Sequence, residues 1–465
     1  MSSAVKLKFP PGPSTGLKRW SLGPLNSGDP LKYFTGLMRE YGDLVSLRVL
    51  NFRILLLNHP DHIEDVLVNH PRKFIRGRVL LANKRVFGRG LLTSDGDFWL
   101  RQRRLAQPAF HRARIADYAS TMVEYTERLL HEWQDGEERD IHAEMMRLTL
   151  QIVGKTLFDA DVERDAQDIG KSMELLLELS ANFRRTIFIP HWVPTPTNFR
   201  LERAIRQIEK VLYRMIAEKR ASGRDSGDLL SMLLAAQDED GSRMTDQQLR
   251  DEAITLFLAG HETTANTLSW TWWLLAQNPA VEAKLHAELR TVLAGRAPSL
   301  DDLPKLVYTS HIITESMRLY PPAWGTARTA IEDHEIAGYA IPKGSGVSFA
   351  QWSVHRDARW YDAPDEFRPE RWEGDLLKRN PKFAYFPFGG GPRQCIGNTF
   401  ALMETALTLA TIAQQYRFRL VPGHPVVPLA SITLRPRYGI RVVMEARPAK
   451  SRVATEASGK MSHHR

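Results

Sequence analysis

The sequence FPFGGGPRQCIGNTFA, from residue 386 to residue 401, surrounds the only cysteine of the 465-residue chain, Cys395. The three glycines before this cysteine allow the backbone to bend close to a flat or bulky group. The residues after it are typical of a helix, so Cys395 is predicted to lie near a helix N-terminus, where free amides favour an anion. That setting lowers the pKa of a thiol and holds a thiolate, a good metal ligand. The paired cysteines typical of zinc and iron–sulphur sites are absent from the sequence.

A lone cysteine is most often a small buried apolar residue, but the residues around Cys395 argue against that alternative. Pro392 stiffens the bend, and Gly397 keeps a side chain away from whatever lies against the loop. Arg393 adds a cation that suits a nearby carboxylate. A single thiolate beside a flat cofactor that carries carboxylates indicates haem.

A long helix is predicted between residues 244 and 279. Thr245 and Gln248 form a capping box at its start, and Asn278 followed by Pro279 ends it. At 1.5 Å per residue such a helix is roughly 50 Å long, which is enough to cross a whole domain.

The apolar pattern of this helix breaks in its middle, at the sequence AGHETT. Gly260 weakens a helix, and the hydroxyl of Thr263 can donate back to the carbonyl of Ala259 and bend it. For a glycine and a threonine taken alone, a bent core helix with a satisfied hydroxyl is the favoured interpretation.

Two further pairs have helical spacing. Glu315 and Arg318 are three residues apart, which usually indicates a surface ion pair that contributes about 0.2–0.5 kcal/mol. Trp99 and Arg103 are four residues apart, and the simplest interpretation is a packed tryptophan beside a solvated arginine. Neither pair alone indicates a function.

Taken together, these motifs resemble those of the cytochrome P-450 family, the haem-thiolate monooxygenases. The sequence FGGGPRQCIG fits the family's cysteine-loop signature, Phe-x-x-Gly-x-Arg-x-Cys-x-Gly, at every fixed position. Those positions are held by Phe388, Gly391, Arg393, Cys395 and Gly397. The resemblance implies that Cys395 is the proximal iron ligand, that Phe388 packs near the sulphur, and that Arg393 pairs with a haem propionate.

The sequence AGHETT resembles the distal-helix motif of the same family. The resemblance implies that the bend at Ala259 and Gly260 opens a groove for dioxygen beside the haem. Thr263 would position the ordered water needed for oxygen activation, and Glu262 would help to relay protons from solvent. His261 is expected to be a neighbour of the groove and not an iron ligand.

The remaining pairs also match family patterns. Glu315 and Arg318 fit the Glu-x-x-Arg pair, and FRPERW supplies Arg371 as the third member of a structural triad. Trp99 and Arg103 fit a Trp-x-x-x-Arg pattern that sends both side chains to a propionate. Arg328 stands where many members place another propionate-binding arginine.

The resemblance implies a mainly α fold with small β-sheets, in which haem lies between the long distal helix and the helix after the cysteine loop. Strand-like runs at residues 44–50, 53–58 and 432–444 fit this fold class. We expect an extended arm at residues 1–20, one haem-thiolate monooxygenase domain at residues 21–446, and a disordered tail at residues 447–465.

Composition is that of a globular protein, with 43% hydrophobic and 25% charged residues. One cysteine excludes an internal disulfide, which suits the reducing cytoplasm. The sequence predicts no signal peptide and no membrane span. A formal net charge of +9 is too small for a nucleic-acid signature on so long a chain, although it favours acidic partners. We expect a cytoplasmic monomer.

The expected activity is monooxygenation with haem b and dioxygen, using two electrons that come from NAD(P)H through a separate ferredoxin, flavodoxin or flavin reductase. A haem-thiolate peroxygenase or isomerase is an alternative, but such relatives commonly replace the distal threonine that Thr263 provides here. A non-catalytic haem-based sensor would need no proton-relay pair.

The substrate is expected to be hydrophobic, for example a fatty acid or a terpenoid. By resemblance its pocket would draw on residues 78–92, 182–194, 256–263, 323–326 and 430–433. Its bulky side chains would be Phe87, Phe257 and Trp324. Cations that could receive a substrate carboxylate at the entrance are Arg76, Arg78, Lys84, Arg85 and Arg89. Cations that could receive an acidic electron donor near the cysteine loop are Arg101, Arg104, His111, Arg112, Arg114, Lys378, Arg379 and Lys382.

Overall fold

The computed structural model describes residues 8–13, 28–49, 52–159, 170, 172–173, 175–176, 179, 193–223, 227–237 and 241–447. Most of the predicted arm and tail therefore lies outside the described residues, as do residues 182–192 of the apolar pocket loop. The proposed boundaries at residues 20 and 446 stay predictions.

Helices make up most of the described structure, and we number them in chain order without the short 3₁₀ and π turns. They are α1 (Pro30–Tyr41), α2 (Pro60–Glu64), α3 (Arg78–Ala82), α4 (Lys84–Phe87), α5 (Gly96–Ala106), α6 (Arg112–His131), α7 (Ile141–Phe158), α8 (Pro196–Ser222), α9 (Leu229–Ala235), α10 (Asp246–Gln277), α11 (Pro279–Leu293), α12 (Val307–Leu319), α13 (Gln351–Val354), α14 (Leu376–Arg379) and α15 (Asn398–Gln415). None of them is both long enough and apolar enough to cross a lipid bilayer.

The strands are short. They are β1 (Leu44–Val49), β2 (Phe52–Leu57), β3 (Phe74–Arg76), β4 (Glu138–Asp140), β5 (Thr326–Ala330), β6 (His334–Ile336), β7 (Tyr339–Ile341), β8 (Gly346–Phe349), β9 (Tyr416–Leu420), β10 (Pro428–Ala430), β11 (Leu434–Pro436) and β12 (Arg441–Ala446). One sheet has five strands in the order β1-β2-β8-β5-β3, and another has three in the order β4-β12-β9. The pairs β6–β7 and β10–β11 complete the described sheets, so the predicted fold class is confirmed.

The five-stranded sheet joins distant parts of the chain. Strands β1 and β2 pair in antiparallel fashion close to the predicted runs, and β2 then pairs in parallel with β8, almost 300 residues later by sequence numbering. The amide of Ser46 also donates to the carbonyl of Pro11, at 2.8 Å, so part of the N-terminal arm lies against this sheet.

The central helix is α10, which spans 32 residues and carries the predicted capping box between Thr245 and Gln248. Its residues are buried on nearly all sides, as expected of a helix that crosses a core. Helix α7 packs closely against it, because a Cβ atom at Gly260 would lie 3.2 Å from Cγ2 of Val153. The hydroxyl of Thr149 also donates to the carbonyl of His261, at 3.0 Å.

Helix α15, which follows the cysteine loop, lies on another side of this core. It contacts α6, where the hydroxyls of Thr126 and Thr408 are 3.4 Å apart. It also contacts α10, where the buried side chain of Thr264 lies close to the fully buried carboxyl of Glu404. The two helices predicted to enclose the haem are therefore neighbours in the fold.

Candidate functional site

The cysteine loop depends on glycine at defined positions. Gly389 and Gly391 have φ angles of 70° and 67°, which side chains rarely allow. A Cβ atom at Gly391 would also lie 1.8 Å from the carbonyl oxygen of Leu67. The loop closes where the amide of Cys395 donates to the carbonyl of Phe388, at 3.0 Å. The glycines predicted to permit a tight bend thus set the position of the cysteine.

The thiol of Cys395 has accessible surface, although protein surrounds it. Burial raises the pKa of the Cys395 thiol, while the amide of Gly397 and the Arg103 guanidinium lower it. The amide at the helix N-terminus therefore lowers this pKa as expected, but in the protein alone the desolvation of the thiolate outweighs it. A bound metal ion deprotonates a coordinating thiol outright.

The middle of helix α10 has accessible surface, whereas the part of the helix before it is buried. All residues from 249 to 258 are buried, whereas Ala259 is exposed and Gly260 and Thr263 are half-buried. The hydroxyl of Thr263 donates to the carbonyl of Ala259 at 2.6 Å, which is the bond expected from the sequence. A central helix with uncovered surface at these residues leaves room for a bound group.

Glu262 lies beside this opening and is held from the far end of the chain. Its carboxylate accepts a 2.6 Å hydrogen bond from the hydroxyl of Thr433, between β10 and β11. The amide of Asn266 in turn donates to that hydroxyl, at 3.3 Å. Burial raises the pKa of Glu262, so the side chain holds its proton more readily than a solvated glutamate. The sequence placed Thr433 only in the substrate pocket, because nothing local connects it with a residue 171 positions away.

His261 connects two helices. Its Nε2 atom lies 3.0 Å from the carbonyl oxygen of Met146 on α7. Burial lowers the pKa of His261 to about 4, so the ring is neutral at physiological pH. The side chain therefore serves helix packing, in line with its expected place as a neighbour of the groove.

Arg393 lies in a partly buried polar cluster beside the start of helix α5. It donates to the carbonyl of Ser94 at 2.9 Å and to the carboxylate of Asp95 at 2.6 Å. Its guanidinium carbon lies 4.1 Å from the centroid of the Trp99 ring. Burial lowers the pKa of Arg393. Trp99 thus contributes a stacking surface for the arginine of the cysteine loop.

Three more arginines converge on the same region. Arg103 donates to the carbonyl of Gln394 at 3.0 Å, and Arg328 donates to the carbonyl of Ala327 at 2.9 Å. Arg76 is directly opposite Arg328 in the β3–β5 pairing. Arg76 was predicted at the pocket entrance, and this is wrong, since strand β3 turns its side chain inward and leaves it 9% exposed.

The positive charges of these arginines repel one another. Burial lowers the pKa of Arg76 and Arg328, and the charges of neighbouring arginines, Arg393 among them, lower both further, while Asp95 acts in the other direction. The buried Nε of Arg76 has no hydrogen-bond partner among the described residues. Several buried cations around one carboxylate are costly unless further anions join them. The two propionates of a haem fit this need.

The Glu315 carboxylate is fully buried on α12 and fully hydrogen-bonded. Arg318 donates to it twice, at 2.8 and 2.9 Å, and Arg371 donates at 2.7 Å. The indole of Trp372 donates at 3.0 Å, and the amide of Arg368 at 3.1 Å. The triad named from the sequence is thus brought together, and it ties α12 to the chain before the cysteine loop.

The predicted pocket side chains have mixed surroundings. Phe257 is 2% exposed and packs on Phe158, with ring centroids 5.4 Å apart, and Phe87 is also buried in the core. Only Trp324 is half-buried, and its indole donates to the carbonyl of Ser431 at 2.8 Å. Phe87 and Phe257 are therefore packed core residues, because helices α4, α7 and α10 cover them.

The predicted entrance cations other than Arg76 have a range of partners. Arg78 lies over the ring of Phe52, 4.2 Å from its centroid, and Arg89 lies over the ring of Phe98 at 4.3 Å. Arg85 pairs with Glu202 of α8, whereas Lys84 is exposed. Most of these cations therefore stabilise the local structure.

Comparison with known proteins agrees with the geometry of the site. The cytochrome P-450 family model matches residues 10–442. A cyclooctatin synthase from Streptomyces melanosporofaciens is 39% identical over 411 residues, covering 87% of this chain and 89% of the relative. A cyclooctat-9-en-7-ol 5-monooxygenase from the same organism is 38% identical, covering 85% of this chain and 86% of the relative. A pentalenene oxygenase from Streptomyces avermitilis is 36% identical, covering 89% of this chain and 93% of the relative. The chain belongs to the cytochrome P-450 family, the haem-thiolate monooxygenases.

Proposed function

We propose that this monooxygenase hydroxylates a terpenoid, either a cyclic hydrocarbon or its alcohol. The observation that carries the proposal is the accessible surface at Ala259 in the middle of the otherwise buried helix α10. A small side chain at that place leaves room for a bulky apolar skeleton. The names of the relatives, which include a monooxygenase of a cyclic alcohol and an oxygenase of pentalenene, support the same class.

Haem binding is assigned to the residues around the cysteine loop. Cys395 would provide the thiolate, with Phe388 next to it and Gly397 leaving space. The propionates would be held by Arg393, Arg103 and Arg328, with Trp99 stacked on Arg393 and Arg76 as an additional cation. When bound, the haem supplies the reduction and cleavage of dioxygen and the insertion of one oxygen atom into the substrate.

Proton delivery is assigned to α10. Burial raises the pKa of Glu262, so its carboxyl holds a proton more readily than a solvated glutamate does. Thr433 holds its carboxyl at 2.6 Å, and rotation of that carboxyl away from Thr433 would bring the proton toward the groove. Thr263 would then keep ordered water in place, because its hydroxyl is fixed by the carbonyl of Ala259. Gly260 lets α7 and α10 approach each other, since a Cβ atom there would lie 3.2 Å from Cγ2 of Val153.

Electrons would come from a separate protein, since members of this family typically need a redox partner. An acidic ferredoxin, flavodoxin or flavin reductase, ultimately reduced by NAD(P)H, suits the formal charge of +9. Exposed cations close to the cysteine loop in sequence include Lys378, Arg379 and Lys382. We place the protein in the cytoplasm as a monomer, on the strength of its single cysteine and globular composition.

The test is a ligand screen that reads the spin state of the haem by its absorption spectrum. Cyclic terpenes and terpene alcohols should displace water from the haem and shift its spin state, whereas fatty acids should not. Ala259→Phe should abolish the shift because the new ring fills the groove, and haem content should stay unchanged. Ala280→Phe, at an exposed position of α11, serves as the matched control. A response to fatty acids alone would overturn the terpenoid assignment.

A further inference from the structure

A cluster of two histidines and an aspartate lies outside the haem site. The carboxylate of Asp65 contacts both rings, with Oδ1 at 2.9 Å from Nδ1 of His70 and Oδ2 at 2.6 Å from Nε2 of His334. One ligand atom from each of the three residues can be chosen so that all lie within 4.8 Å of one another. These three side chains have no role in the function proposed above.

The backbone brings Asp65 and His70 together through a rare element. Residues Asp65–Asn69 form a π turn, and the amide of His70 donates to the carbonyl of Asp65, at 2.9 Å. In a π turn, residues five apart lie on the same side, and such turns occur frequently at functional sites. The turn therefore aims two potential ligands in one direction.

The third potential ligand comes from a distant strand and is rigidly held. His334 begins β6, and its side chain is only 7% exposed. Its ring packs edge-on against Phe74 at 5.4 Å and lies 4.6 Å from the ring of His70. The side chain of His70 is 42% exposed, so it can rotate and the cluster is open to solvent on one side.

We propose that Asp65, His70 and His334 bind a divalent transition-metal ion, with Zn²⁺ as the preferred ion. Two imidazole nitrogens and one carboxylate oxygen are a set that zinc accepts, with the fourth position left for water. The ion would replace the protons that the carboxylate and the rings share. Zinc–ligand bonds of about 2.0–2.1 Å require the ligand atoms to close up slightly, and rotation of the exposed His70 ring allows it.

The location of this site gives metal binding a structural consequence. The π turn also packs against the cysteine loop, because the carbonyl oxygen of Leu67 occupies the space that a Cβ atom at Gly391 would need. An ion held by Asp65, His70 and His334 would join the turn to strand β6. It would thereby stiffen the support of the cysteine loop and raise the thermal stability of the protein.

The direct test is calorimetric titration of the full-length, haem-loaded protein with zinc chloride after treatment with a chelator. His463 and His464 could bind zinc by themselves, so both are first replaced by alanine. This background protein should bind one Zn²⁺ per chain with micromolar affinity or tighter. Asp65→Asn and His70→Ala should each weaken binding by at least about 10–100-fold, the effect expected even for outer-shell changes.

The matched control is His59→Ala, which removes a different histidine that lies 3.7 Å from a carboxylate, that of Asp61. It should leave zinc binding unchanged. Zinc should also raise the melting temperature of the background protein but not that of His70→Ala. This variant should fold normally, because the side chain of His70 is 42% exposed. Absence of a stoichiometric zinc site, or a zinc affinity of Asp65→Asn and His70→Ala equal to that of the background protein, would show that the cluster is only a hydrogen-bonded link.

Discussion

At the scale of single residues, the pKa of the Cys395 thiol depends more on desolvation than on the position of the residue before helix α15. Desolvation raises the pKa of its thiol, and the nearby Gly397 amide and Arg103 lower it by less. A haem iron bound by Cys395 would complete the deprotonation of the thiol. A sequence motif points to Cys395 as the ligand, but it does not reveal which of these opposing effects on the pKa is larger.

The hydroxyl of Thr263 is expected to keep the consumption of reduced cofactor coupled to hydroxylation of the substrate. Thr263→Ala removes the hydroxyl that we propose holds ordered water beside Ala259, so protons should arrive less reliably and more of the reducing equivalents should end as hydrogen peroxide. Consumption of reduced cofactor should continue. The measurement is the ratio of peroxide to hydroxylated product, in Thr263→Ala and in Thr263→Ser, which keeps the hydroxyl and should stay coupled. Equal coupling in all three proteins would show that another group positions the water.

Several site contacts could not be predicted at this scale. The bond between Thr433 and Glu262 and the pairing of Arg76 with Arg328 both join segments far apart in the chain. No local pattern records such contacts. By contrast, the bond from Thr263 to Ala259 spans one helical turn, and the sequence predicts it directly.

At the scale of elements, α10 was predicted well because its start, end and central break are all local signals. The attachment of α10 to the loop before α5 could not be predicted from the sequence. Leu91 donates its amide to the carboxyl of Glu252 at 3.0 Å, and the other oxygen of Glu252 is buried without a partner in the described residues. Burial raises the pKa of Glu252 to about 8, with the charge of Asp251 acting in the same direction.

The raised pKa of Glu252 predicts a pH dependence of stability. In the folded protein the carboxyl keeps its proton up to about pH 8, whereas in the unfolded chain it ionises near the ordinary value of 4.5. The folded state thus binds more protons in this window, so the free energy of unfolding contributed by Glu252 falls as pH rises. Glu252→Gln, which mimics the protonated form, should gain melting temperature relative to wild type between about pH 5 and pH 8. Glu138→Gln, at an exposed position, should show no such gain in melting temperature. A difference in melting temperature between Glu252→Gln and wild type that stays constant over this pH range would contradict the raised pKa.

The Glu315 triad predicts the effect of losing a buried charge partner. Glu315→Ala leaves Arg318 and Arg371 buried without their anion, which should cost about 3–5 kcal/mol of unfolding free energy. Little haem-loaded protein should be recovered. Glu124→Ala is the control, because Glu124 pairs with Arg128 at 2.5 Å on the surface, where ion pairs contribute about 0–1 kcal/mol. Equal melting temperatures for the two variants would mean that the triad is unimportant for the fold.

At the scale of the whole molecule, the fold class followed from motifs in their order, while the arrangement of the sheets did not. Strand β2 pairs with β8 across most of the chain, and three-residue strands such as β3 and β6 have no clear sequence pattern. The same limit applies to surfaces. The basic residues near the cysteine loop are visible in the sequence, but their role as a dock is a proposal.

A dock for an acidic electron donor predicts salt dependence. Attraction between opposite charges weakens with ionic strength, so the rate of electron transfer at limiting donor should fall as salt rises. Arg104→Glu and Lys382→Glu, at exposed positions, should slow it further without changing the spectra of substrate binding. Lys210→Glu on α8 is the control and should be neutral. A rate that responds neither to salt nor to the two reversals contradicts the dock.

The account as a whole depends on thiolate ligation of the haem iron by Cys395, and the absorption spectrum of the reduced protein with carbon monoxide tests it most directly. The wild-type protein should show the strongly red-shifted Soret band that thiolate ligation produces. Cys395→His, which can still ligate iron through nitrogen, should bind haem and lack that band. A red-shifted band that persists in Cys395→His, or is missing from the haem-loaded wild-type protein, would contradict the assignment of Cys395.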